Sequence, residues 1–122
     1  MGNPDTKAAF KERVGHWAGK LDVDVVWLGV RPMRSKWASC STSGHLNFNA
    51  DLLDLKIELW DYVIVHELLH FFIPNHGKLW KSLMRAHLGE YEAYEAELKQ
   101  IAHNKRFLSR PGEKGTNERT SP

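Results

Sequence analysis

Apolar residues return at helical spacing near the start of the chain, at Phe10, Val14, Trp17 and Leu21, behind an Asn3-Pro4 pair that suits a helix cap and first turn. The pattern predicts a first helix. From Leu21 the period changes to two, with Leu21, Val23, Val25 and Trp27 alternating with Asp22, Asp24 and Val26 as far as Gly29 and Pro32, which predicts a strand. Residues 36–40 suit a second strand. The polar Ser41-Thr42-Ser43-Gly44 turn then leads into Leu46, Phe48, Ala50 and Leu52, alternating with Asn47, Asn49 and Asp51, so a hairpin is expected.

The next segment, 57–72, is apolar nearly all round a helical wheel, through Ile57, Leu59, Trp60, Tyr62, Val63, Ile64, Val65, Leu68, Leu69, Phe71 and Phe72. Such a helix belongs inside a core. It is too short and too interrupted for a membrane span, and Pro74 stops it by disfavouring helical geometry in its predecessor. A further helix over 78–87 ends at Gly89, and another places Tyr91, Tyr94, Leu98 and Ile101 on one face. Helix, strands, then helices argue for an α+β domain in which a small, mostly antiparallel sheet packs on the buried helix, with helices flanking it.

Within that buried helix lies His66-Glu67-Leu68-Leu69-His70, followed six residues later by His76. Histidines four apart stand about 40° apart around a helix and about one 5.4 Å turn along it, so both imidazoles can reach one ion. Burying His66, Glu67 and His70 without partners would cost several kcal/mol, and a divalent cation with its water would satisfy all three. The stop at Pro74 lets His76 swing back as a third ligand. Its rival is Glu90, 20 residues after His70, at a spacing used by glutamate-ligated zinc peptidases. Glu67 is rotated beside the pair, where it can take a proton from an activated water and act as general base.

Other candidates read more plainly. His16, His45, His87 and His103 are expected to be surface or satisfied core residues, and Trp37, Trp60 and Trp80 to pack rather than line a groove. Tyr62, Tyr91, Tyr94 and His87 are unranked candidates for stabilising an oxyanion. The single cysteine, Cys40, excludes an intramolecular disulfide and a multi-cysteine zinc knuckle, which agrees with a reducing compartment.

At 122 residues and 42% hydrophobic content, one compact domain over 1–108 is expected, with a solvated, basic tail at 109–122. Net charge is +2, and Lys105, Arg106, Arg110, Lys114 and Arg119 against Glu113 and Glu118 place a surplus of three positive charges after His103. The body is left slightly negative, so nucleic-acid binding has no electrostatic footprint there. No signal or anchor segment is legible, and a cytoplasmic setting is expected.

The ordered blocks Lys36-Trp37-Ala38-Ser39-Cys40-Ser41, Leu46-Asn47-Phe48-Asn49 with Leu52, Tyr62 through His70, Asn75-His76-Gly77 and Leu79-Trp80 resemble the YgjP-like metallopeptidases, relatives of the SprT-like and Spartan proteases. The similarity spans about 23–83. It implies a minimal zincin fold with His66, His70 and His76 as zinc ligands and Glu67 as the catalytic glutamate. Ala38 replaces a usual glycine and Leu79 a usual phenylalanine, while Ile73 stands where metzincins carry glycine. The expected function is therefore zinc-dependent hydrolysis of polypeptides. The alternatives are a DNA-associated protease of the Spartan type, which rests on fold analogy, and a protein whose zinc site serves structure only.

Overall fold

The computed structural model describes residues 4–41 and 43–105, so the Asn3 cap and the tail at 109–122 lie outside the described residues. The first helix, α1 (Pro4–Leu21), buries Phe10, Val14 and Trp17 as its spacing predicts. Phe10 meets Phe48 and Trp60 edge-on, at centroid distances of 5.0 and 5.1 Å, and so joins helix to sheet.

The strand expected from Leu21 starts later. Asp22 takes a left-handed conformation with φ of 59°, and the Val23 amide closes α1 on the Ala18 carbonyl at 2.9 Å. Val23 and Val25 tuck a connecting segment against the core, and β1 runs only over Trp27–Arg31. It pairs residue for residue with β3 (His45–Asn49), whose five residues set the length of the ladder.

The expected hairpin forms between β2 (Ala38–Cys40) and β3, with Gly44 at φ of 97° in the turn. The strands alternate in direction along the chain, but β3 sits centrally in the order β1-β3-β2, so its pairing with β1 is parallel. The small sheet is therefore mixed, with one antiparallel and one parallel pairing. A local hydrophobic pattern marks strands but not their neighbours, which is why the sequence did not reveal the order.

Strand β3 ends at Asn49, where Leu52 had been expected to continue it. The buried Asn49 side chain accepts the Asp51 amide at 3.0 Å and donates to the carbonyls of Met33 and Lys36. It thereby caps a 3₁₀ turn at Ala50–Asp54 and pins the loop between β1 and β2.

The central helix, α2 (Ile57–Leu69), is buried over most of its length and packs against α1, β2, α3 (Lys78–Leu88) and α4 (Glu92–Lys105). Its one acidic interruption toward α1, Asp61, accepts a bidentate pair from Arg13 at 2.7 and 2.8 Å and the Trp17 indole at 2.8 Å. None of the described helices is long and apolar enough to cross a membrane.

Candidate metal centre

The approach of Pro74 tightens the end of α2. The amides of His70, Phe71 and Phe72 bond three residues back, to Glu67, Leu68 and Leu69, so the helix ends at Leu69 rather than at Phe72. His70 is the C-cap and keeps helical angles, which leaves it on the same face as His66. Asn75 then accepts the Gly77 amide at 2.9 Å, a turn that starts α3 and returns His76 to the end of α2.

The result is a three-histidine cluster. One ring nitrogen from each of His66, His70 and His76 lies within 4.8 Å of the others, and the ring centroids stand 4.8 to 5.0 Å apart. His66 and His70 are buried and His76 is exposed. His70 Nδ1 lies 2.9 Å from the Ile73 carbonyl oxygen, which accepts its proton and leaves Nε2 with a free lone pair. That Nε2 is 3.0 Å from His76 Nε2. Two nitrogens bound tetrahedrally at about 2.05 Å would stand roughly 3.3 Å apart, so this pair already has nearly the spacing an ion requires.

Burial pushes the His66 imidazole down to about 4, and it also lowers His70 and His76. All three are thereby held neutral near pH 7, the form that donates a lone pair to a metal. Glu67 is fully buried, with a carboxylate oxygen 3.3 Å from His66 Nδ1. Trp80 packs against all three imidazoles, at 5.0, 6.0 and 4.5 Å from His66, His70 and His76.

A cavity of about 510 Å³ opens beside the cluster, lined by His66, His76, Trp80, Tyr91 and Glu95 together with Lys81, Lys99 and Glu92. Four of these residues, Lys81, Glu92, Glu95 and Lys99, escaped sequence reasoning. Glu95 is one helical turn beyond Tyr91 on the face that buries Leu98, and an acid on that face was the available signal. Lys81 follows Trp80 on α3 and carried none. Glu90 is exposed and stands outside the histidine group, as do His16, His45, His87 and His103. Trp37 and Trp60 are core residues, so of the three tryptophans only Trp80 lines this cavity.

The family model of the YgjP-like metallopeptidase domain matches residues 3–101. The chain belongs to that family. An uncharacterized protein of Methanocaldococcus jannaschii is 37% identical over 102 residues, covering 80% of this chain and 93% of its own. The crystal structure of the metallopeptidase zymogen jannalysin, from the same organism, superposes with a TM-score of 0.66 at 31% identity, over 78% of this chain and 96% of that one. The zymogen of Pyrococcus abyssi abylysin gives 0.65 at 17% identity, over 80% and 95%, a likeness of fold alone. The YgjP-like chain is thus a metallopeptidase domain of zincin-like fold, and its three-histidine group is able to hold the metal ion such an enzyme uses.

Proposed function

We propose that this metallopeptidase is a zinc-dependent endopeptidase in which His66, His70 and His76 hold the ion and Glu67 is the general base. The observation that carries the reading is the convergence of three imidazoles, one of them fixed in tautomer by the Ile73 carbonyl, beside a buried carboxylate. When bound, zinc would polarise the scissile carbonyl and lower the pKa of a water toward neutrality. Peptide hydrolysis also needs a proton taken from the attacking water and one delivered to the departing amine. Glu67, next to His66 in the chain and with a carboxylate oxygen 3.3 Å from its Nδ1, is the group assigned to take the first and supply the second.

His76 is exposed and borders the cavity, so a polypeptide could approach a centre there. A purely structural zinc would be closed by a fourth protein ligand, and His66, His70 and His76 are the only such group found among the described residues.

The test is Glu67→Gln in the zinc-loaded protein, with unfolded casein as substrate. Zinc content should stay at one per chain, while hydrolysis falls by about 10²- to 10⁴-fold. A rate within about threefold of wild type would remove Glu67 from the mechanism. Failure of the wild-type protein to bind zinc would remove the centre itself.

A further inference from the structure

Of the four side chains named from the sequence as candidates for stabilising an oxyanion, Tyr62, Tyr91, Tyr94 and His87, the fold separates one from the rest. His87 lies against Trp17, at a centroid distance of 5.9 Å, and does not border the cavity. Tyr94 is half-buried and also absent from the cavity wall. Tyr62 is fully buried, and its hydroxyl is sealed with no hydrogen-bond partner among the described residues. Tyr91 alone shares the cavity with His66 and His76.

The Tyr91 ring is clamped on several sides. Trp80 meets it edge-on at 5.8 Å, Tyr62 stacks on it at 6.4 Å, and the Arg85 guanidinium lies 5.4 Å from its centroid. Arg85 is in turn held by both oxygens of Glu92. Gly89, at φ of 69°, makes the turn between α3 and α4 and carries Tyr91 back over the cluster, where its carbonyl accepts the Glu95 amide at 3.0 Å. A fixed ring holds its hydroxyl in one place, which is what preorganised stabilisation demands. That hydroxyl makes no hydrogen bond among the described residues, and unlike Tyr62's it is not sealed.

We infer that Tyr91 is a catalytic residue of the peptidase site: its hydroxyl donates a hydrogen bond to the scissile carbonyl oxygen as negative charge builds there. The inference rests on the proposed peptidase reading and adds the group that recognises the transition state. The proton stays on the phenol throughout, so the contribution is electrostatic. It appears as carbonyl carbon becomes tetrahedral and is small in the ground state.

The experiment compares wild type, Tyr91→Phe and Tyr62→Phe, all zinc-loaded, in casein hydrolysis and in calorimetric binding of a peptide phosphinate whose tetrahedral anion imitates the hydrated bond. Tyr91→Phe should lose about 10²-fold in kcat with KM within about threefold, and should weaken phosphinate binding by a similar factor while zinc content and melting temperature hold. Tyr62→Phe should keep activity, which shows that the loss does not follow from any tyrosine at the site. If Tyr91→Phe cleaves and binds like wild type, or loses zinc, the inference is overturned while the peptidase reading stands. If wild type neither cleaves casein nor binds the phosphinate, both fall together.

Discussion

His70 illustrates how one side chain is committed by its neighbours. Its Nδ1 proton goes to the Ile73 carbonyl, so its Nε2 has only a lone pair to offer, and His76 Nε2 stands 3.0 Å away. Without an ion the His76 ring must supply the proton between them. Were an ion held there, both nitrogens would offer it lone pairs, and the His76 proton would belong on Nδ1. His76 is thus the adjustable member of the trio, exposed and seated on a loop, and it is the proposed ligand whose removal tests the set most cleanly. His76→Ala should weaken zinc binding by at least 10²-fold in competition with a chromophoric chelator, whereas Glu90→Ala should leave it unchanged. The reverse ranking would make this a glutamate-ligated enzyme.

Among the elements, α2 does most to position the site, and it is oriented by Asp61 as much as by its apolar surface. Asp61 anchors Arg13 and Trp17 of α1, one and a half turns before His66. Asp61→Ala leaves a buried indole N–H and a guanidinium unmatched, and should cost about 2 kcal/mol, read as a lower urea midpoint at constant slope. A midpoint unchanged within about 0.2 M would show that the pair adds nothing. Helices were the legible part of this fold, because their period, Pro74 and Gly89 are all local signals. The first strand begins later than its alternation suggests, since Val23 and Val25 alternate like strand residues while anchoring a connecting segment against the core. The histidine trio was legible because it spans only eleven residues, from His66 to His76. The cavity was not: Trp80 and Glu95 come from two later helices and Tyr91 from the turn between them, and their meeting depends on how α3 and α4 settle on α2.

For the molecule as a whole, the buried imidazoles couple stability to pH. His66 titrates at about 4 in the folded protein against about 6.5 when unfolded, so its contribution is fully present above pH 6.5. As pH falls from 6.5 toward 4 the unfolded chain takes up the proton first, and that stability is lost, with no further loss below 4. The loss from His66 is roughly 3 kcal/mol, and the lowered His70 and His76 act in the same direction. Thermal melts of chelator-treated protein from pH 7.5 to 4.5 should show the melting temperature falling through this window, and a flat profile would contradict it. Zinc should raise the curve at neutral pH and lose its effect as protons displace it.

Because all three imidazoles come from one stretch of eleven residues, an ion held by them closes a very short loop and cross-links nothing distant. Release therefore requires only that the segment from His70 to Gly77 lift away from the end of α2, with the sheet and α1 undisturbed. Metal exchange in this protein should accordingly be a local event, far faster than global unfolding, so that the enzyme's metal state follows the free ion concentration around it while its fold persists.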